Sequence, residues 1–291
     1  MSKAMRHAES GFTLMQMAVV VAIVGITLGA VFSFMRTEDD RARILLTRQH
    51  EQAIAAALTD YAQRLSVLPC PGDPSAATIE LIGTARAVCN TPALRVGVVP
   101  YYTLGLSPLD VLDAYGNPFT YAVQEDVVTN LGTVGNVYDT CRNADWIPGV
   151  TNLNPDKANL CCRQISANRL RVFSDLALTV DAVPAQSPTP QTLAPVDTGP
   201  SAVTGGNLAY IAYILVSHGK NALGVYQLGG AGRTTTVGAN AAELENTTDD
   251  LNFAEAPFNT VSGPNYFDDI VLWRTQQHLL RDLGNDSCKM P

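Results

Sequence analysis

The sequence predicts an α+β fold. A long N-terminal helix, its first half built to span a membrane, packs its second half on an antiparallel β-sheet domain with long loops and disulfides. Three observations carry that expectation. Residues 12–35 form an apolar run without a charge, residues 36–65 contain neither proline nor glycine, and beyond Pro69 short apolar runs alternate with Gly, Pro, Asn and Asp.

The apolar run FTLMQMAVVVAIVGITLGAVFSFM extends from Phe12 to Met35 and has 24 residues. At about 1.5 Å per residue it crosses the ~30 Å hydrocarbon core with some tilt. Lys3, Arg6 and His7 precede it; Glu38, Asp39 and Asp40 follow it, with Arg36 and Arg41. Positive charge in a short leader keeps the N-terminus in the cytoplasm and predicts export of everything after Met35. A cleaved secretory signal is the competing reading, but the run is long for one and no small-x-small site closes it.

The stretch that follows is rich in Ala, Leu, Arg and Gln, all helix formers. Ile44, Leu45, Ala53, Ile54, Ala57, Leu58, Tyr61 and Leu65 recur at spacings of three and four, giving one apolar stripe. The simplest reading is a single helix from about Phe12 to Ser66, roughly 80 Å long. Its membrane half is 12–35 and its amphipathic exported half 36–68.

Residues 69–291 read as a globular α+β domain. Candidate strands are Phe119 to Gln124, Leu170 to Phe173, Leu208 to Val216 and Leu223 to Gln227. Leu208 to Val216 is apolar enough, and rich enough in aromatic and β-branched residues, to be central. The segment 181–206, dense in Pro, Ser, Thr and Gly, reads as a loop or insertion, or as a linker between two lobes.

Composition narrows the function classes. Of 291 residues 46% are hydrophobic and 16% charged, which excludes a disordered chain. A formal net charge of -8 supplies no basic face for nucleic acid. The six cysteines, Cys70, Cys89, Cys141, Cys161, Cys162 and Cys288, all follow residue 69 and include no CxxC. An even number behind an export signal reads as disulfides in an oxidising compartment, with the short Cys70–Cys89 loop as the first pairing to expect.

Catalytic signatures are scarce. HExxH, GxSxG and the phosphate-cradling lysine loop are all missing, and Gly229 to Thr234 is Gly-rich without the GK[ST] ending. Ser217-His218-Gly219-Lys220 is the one constellation to weigh. Adjacent residues on a strand face opposite ways, so a polar turn is the better reading than a nucleophile and base. Acidic residues gather at Glu243, Glu245, Asp249 and Asp250, and again at Asp268 and Asp269, without an EF-hand pattern.

At the N-terminus, Ser10-Gly11-Phe12-Thr13-Leu14-Met15-Gln16 resembles the prepilin processing site, a Gly followed by Phe-Thr-Leu-x-Glu at the head of an apolar helix. Type IV pilins and the pseudopilins of type II secretion systems share that feature. The resemblance implies that prepilin peptidase cuts after Gly11, removing leader 1–11, and that Phe12 is N-methylated. Where the family usually carries Glu, this chain has Gln16, which accepts a hydrogen bond but cannot neutralise a neighbouring subunit's N-terminal ammonium. Family members lacking that Glu include subunits at the filament tip; simple tolerance in a low-copy subunit is the alternative.

Further segments look like the same family: Leu68 to Asp73, Val99 to Leu106, Asp113-Ala-Tyr-Gly-Asn-Pro-Phe-Thr-Tyr121, Val216 to Asn221 and Asp268 to Trp273. The resemblance implies a minor subunit of a secretion pseudopilus or type IV pilus rather than an enzyme. Its partners would be other pilin-like subunits, the peptidase, the inner-membrane assembly platform and the membrane, with no nucleic acid. It would rest in the bacterial inner membrane as a single-pass protein with a periplasmic domain. Some pseudopilins hold calcium near the end of the sheet, which makes Asp249, Asp250, Asp268 and Asp269 candidate ligands, a solvated acidic turn being the alternative. A membrane-tethered periplasmic enzyme or ligand-binding module is the competing class.

Overall fold

The computed structural model of the chain describes residues 14–65, 67–124, 127–128, 170–174, 211–230, 232–261, 263 and 265–282. Gly11, Phe12, Cys141, Cys161, Cys162, Cys288 and segment 181–206 lie outside them. The chain divides into two units, Met1–Leu45 and Leu46–Pro291. Helix α1, Leu14–Leu65, begins in the first and ends in the second.

In the first unit α1 is exposed at every residue from Met17 to Gly29. Val19, Val20 and Val21 follow one another around the helix and are all exposed, and Met15 and Ile26 are 79% and 74% exposed. An amphipathic surface helix would instead bury one apolar stripe. Near its end Arg41 pairs with Glu38 at 3.0 Å and Arg43 with Asp39 at 3.3 Å, exposed pairs each worth only a few tenths of a kcal/mol. Among the described residues no helix is long and apolar enough to cross a membrane. The charge-free run 12–35 itself reaches past them at Phe12 and Thr13.

In the second unit the sheet orders the rest. Four strands run β1 (Val96–Val98), β2 (Thr120–Val123), β4 (Ile211–Ser217) and β6 (Ile270–Thr275), every neighbour antiparallel. Tyr121 faces Leu215, and Leu215 faces Leu272. On one face Ile54, Leu58 and Ala62 of α1 join Tyr121, Tyr213 and Leu215 in one core. On the other, Ala122, Ile214 and Val216 meet Leu170, Val172 and Phe253. β4 is therefore buried along its whole length, which is why its sequence is apolar without alternation. A bulge between Ile211 and Tyr213 lets Ala212 and Tyr213 enter the same core although they are adjacent.

Short elements fill the connections. α2 (Ile79–Ile82) is capped by Thr78, whose side chain accepts from the Leu81 amide. α3 (Tyr101–Leu104) ends at Gly105 in the left-handed region, φ 73°. α4 (Ala241–Glu245) precedes β5 (Asn252–Glu255), and α5 (Gln276–Asp282) follows β6. Cys70 and Cys89 form a disulfide, as their short loop suggested, with Cα atoms 5.8 Å apart.

Several expectations move. The strand over Phe119 to Gln124 is Thr120–Val123, that over Leu170 to Phe173 is β3, Arg171–Ser174, and the central strand ends at Ser217. Leu223 to Gln227 is not a strand. Gly224 turns there at φ 76°, leaving one isolated bridge between Tyr226 and Arg233. The sheet is not the only one: β3 pairs with β5 (Asn252–Glu255) in parallel, a ladder that needs the long crossover its two strands have in sequence.

The buried stripe of α1 also differs from the apolar one. Ile54 and Leu58 are buried, but Leu45 and Leu65 are 62% and 54% exposed, and polar Thr47 and Glu51 are buried in their place. A hydrogen bond explains Thr47. The Thr47 hydroxyl accepts from the Ala114 amide at 3.1 Å, and His50 Nδ1 donates to the Leu112 carbonyl at 2.6 Å. The turn 112–117 is thus fastened to the helix by hydrogen bonds, not only by apolar contact.

Candidate metal centre

Asp113 organises that turn. Its Oδ1 accepts from the amides of Tyr115 and Asn117 at 2.9 and 2.8 Å, and its Oδ2 accepts from Ser217 Oγ at 2.6 Å. These bonds hold the end of β4 and the loop leaving it, Ser217-His218-Gly219-Lys220-Asn221. Ser217 and His218 do not act on each other: His218 Nε2 lies 2.9 Å from Thr120 Oγ1. Burial, with the Arg233 guanidinium beside it, pushes His218 down to about 3, so its ring is neutral at pH 7.

The loop then wraps a carboxylate. The amides of Lys220 and Asn221 donate to Asp268 Oδ2 at 2.8 and 3.0 Å, and the Tyr266 hydroxyl adds a third bond at 2.9 Å. Gly219 makes this approach possible: it sits at φ +60°, and a Cβ there would run into the backbone of Asp268.

Glu243 comes to the same place from α4. Asn240 caps that helix by accepting from the Glu243 amide at 2.8 Å, which fixes where the glutamate starts. Its Oε1 accepts from Asn221 Nδ2 at 3.0 Å and from the Asp268 amide at 3.3 Å. Asp269 follows Asp268 in the chain, just before β6, with Oδ2 accepting from Asn246 Nδ2 at 2.8 Å. Asn246 is itself fixed by two bonds to Ala254.

Glu243, Asp268 and Asp269 are all buried and offer carboxylate oxygens within 4.8 Å of one another. Glu243 Oε2 and Asp268 Oδ1 are buried with no hydrogen-bond partner. Burial and the facing carboxylates push Glu243 up to about 7 and Asp269 well above the carboxylate range. Such a group must hold a proton or a cation. A hard divalent ion suits it, because calcium and magnesium are bound by oxygen alone and calcium takes six to eight ligands. The two unpartnered oxygens fit that chemistry, with carbonyls and water left to complete a shell.

Of the four candidate ligands, Asp268 and Asp269 meet here and the other two do not. Asp249 accepts from Tyr226 Oη at 2.7 Å and from Arg233 Nη2 at 2.9 Å. Asp250 accepts from the Thr248 hydroxyl and the Asn252 amide, closing the turn into β5. Glu243 takes the third place. Besides its place in the acidic group, a signal for it is Asn240 three residues earlier, the spacing of a helix N-cap and its third residue.

Gly11 and Phe12 lie outside the described residues, and Gln16 lies in α1. No protein-family model, no curated protein and no solved structure matches the chain.

Proposed function

We propose that the chain is a pilin-like subunit of a bacterial envelope filament, a secretion pseudopilus or a type IV pilus. The observation that carries this reading is α1. It runs unbroken from Leu14 to Leu65, exposes every residue of its apolar stretch from Met17 to Gly29, and ends with Ile54, Leu58 and Ala62 in the core of an α+β unit. Exposed apolar surface of that extent is covered by lipid or by other helices. A helix serving only as an anchor has no need to continue into the core.

In this reading residues 12–35 span the inner membrane before assembly and the unit from Leu46 lies in the periplasm. Cleavage follows Gly11, Phe12 is methylated, and Gln16 suits a subunit at the tip or in initiation, where no ammonium needs neutralising. The disulfide between Cys70 and Cys89 agrees with an oxidising compartment. Calcium, held by Glu243, Asp268 and Asp269, would stiffen the loop after β4. Intact mass and N-terminal peptide mapping of membrane-extracted protein test the reading. A chain beginning at Phe12, with 280 of the 291 residues, supports it; one beginning at Met1, or cut beyond Met35, overturns it in favour of a tethered or secreted binding module.

A further inference from the structure

The acidic site and the seat of α1 share one short loop, residues 217–221. On one side of it Glu243 Oε2 and Asp268 Oδ1 are buried without a hydrogen-bond partner, in a group of carboxylates whose oxygens lie within 4.8 Å of one another. On the other side the turn 112–117 holds α1, through the Ala114 amide on Thr47 Oγ1 and the Leu112 carbonyl on His50 Nδ1. Two side-chain bonds tie the loop to that turn. Ser217 Oγ donates to Asp113 Oδ2 at 2.6 Å, and Asn117 Nδ2 donates to the Gly219 carbonyl at 3.0 Å. Three bonds tie it to the acids: the Lys220 and Asn221 amides donate to Asp268 Oδ2, and Asn221 Nδ2 donates to Glu243 Oε1.

The loop has little slack to absorb a shift at either end. Gly219 lies at φ +60° with the Asp268 backbone where a Cβ would stand. Ala222, which has a Cβ, lies at φ 53°, and such a residue keeps the left-handed region only where its surroundings fix it. Here the bonds to Asp268 and Glu243 precede it, and the Leu223 amide donates back to Asn221 Oδ1 at 2.9 Å. Bare carboxylates this close repel, whereas a divalent ion draws Glu243 Oε2 and Asp268 Oδ1 onto itself. We propose that a divalent cation held by Glu243, Asp268 and Asp269 sets how firmly the turn 112–117 grips α1, with the loop 217–221 carrying the effect. The ion fixes the acids on which Lys220 and Asn221 close, and that closed loop presents Ser217 and Gly219 to the turn. By linkage, the seated helix favours the ion by the same factor. This rests on the cation site of the proposed function and adds that the site acts on the helix.

Hydrogen exchange of the full chain in detergent micelles, read by peptide mass, tests the coupling. Terbium reports occupancy, since a nearby tyrosine excites its luminescence and the Tyr266 hydroxyl lies 2.9 Å from Asp268 Oδ2; calcium should displace it. Saturating calcium should slow exchange in peptides covering 112–119 about tenfold and leave those covering 78–84, around α2, within about twofold. S217A/N117A cuts both links to the turn and removes no cation ligand. It should still bind terbium and lose the slowing at 112–119. If that pair does not fold, N117A alone should reduce the tenfold effect to about threefold. Equal slowing across the unit, equal slowing in the variants, or none while terbium binds refutes the coupling and leaves the cation site standing. No terbium binding, or no displacement by calcium, removes the site and the coupling together. The filament reading is judged apart from both, by the N-terminus at Phe12.

Discussion

Ser217 and Asp113, 104 residues apart in sequence, share a 2.6 Å hydrogen bond in the buried core of the second unit. Through it the end of the central strand is tied to the turn that receives α1. Burial raises the Asp113 carboxyl, while the bonds from Ser217, Asn117 and Tyr115 pull it back down. The carboxylate is thus the acceptor around which strand, turn and helix meet.

Removing that acceptor should be costly. Asp113→Ala leaves the Tyr115 and Asn117 amides and the Ser217 hydroxyl without their partner, and we expect a loss of about 2–4 kcal/mol in urea unfolding. Ser217→Ala should cost about 1 kcal/mol, and the double variant less than the sum of the two. Additive losses would mean that the two side chains do not act together.

Glu51 predicts a pH dependence. Burial raises it to about 8; Arg48 lowers it and Asp113 raises it further. The folded chain therefore holds a proton that the unfolded chain releases near the ordinary value, so this group's contribution to stability falls as pH climbs from about 4.5 to about 8 and levels off above. Glu51→Gln should flatten that slope and gain on the order of 1 kcal/mol at pH 8, with little change at pH 4.5. Equal pH profiles for the two proteins would rule out a buried, protonated Glu51.

The cation site makes its own prediction. Added calcium should raise the unfolding midpoint, by about 2.7 kcal/mol of stability at a hundred times its dissociation constant. The gain should shrink below pH 7, where protons compete at Glu243. Glu243→Gln and Asp268→Asn should abolish it. No calcium-dependent shift in the intact protein would leave the three carboxyls as a proton-sharing cluster.

Opening the disulfide should act locally as well as globally. Cys70→Ala/Cys89→Ala frees a loop spanning a separation of 19 residues, and we expect a loss of about 3 kcal/mol. Amide exchange should rise most between 71 and 88, where α2 forms a wall of an apolar cavity. Uniform exchange across the unit would show that the loop is held by packing alone.

What was legible in the sequence was what is periodic or local. Ile54 and Leu58 follow helical spacing, Ile211 to Val216 is a continuous apolar strand, and Cys70 and Cys89 are close in the chain. Thr47 and Glu51 were not legible, because their burial depends on a turn some 60 residues away. Nor was the pairing of β3 with β5, which no local pattern encodes. At the acidic site, Asp249 and Asp250 looked equivalent to Asp268 and Asp269. Only the fold shows the first two engaged by Arg233, Tyr226 and Thr248, and Glu243 delivered by a short helix.

The bulge in β4 makes the strand change parity. After it, odd-numbered Tyr213 and Leu215 share the core of α1; before it, even-numbered Ala212 does, and Ile211 belongs to the opposite core. Losing one residue at Ala212 would therefore give an evenly alternating strand that keeps Tyr213 and Leu215 in place. Losing one between Tyr213 and Ser217 would exchange the two faces for the rest of the strand and carry Ser217 away from Asp113. The same lesion, a single codon, is absorbed at position 212 and ruinous beyond it.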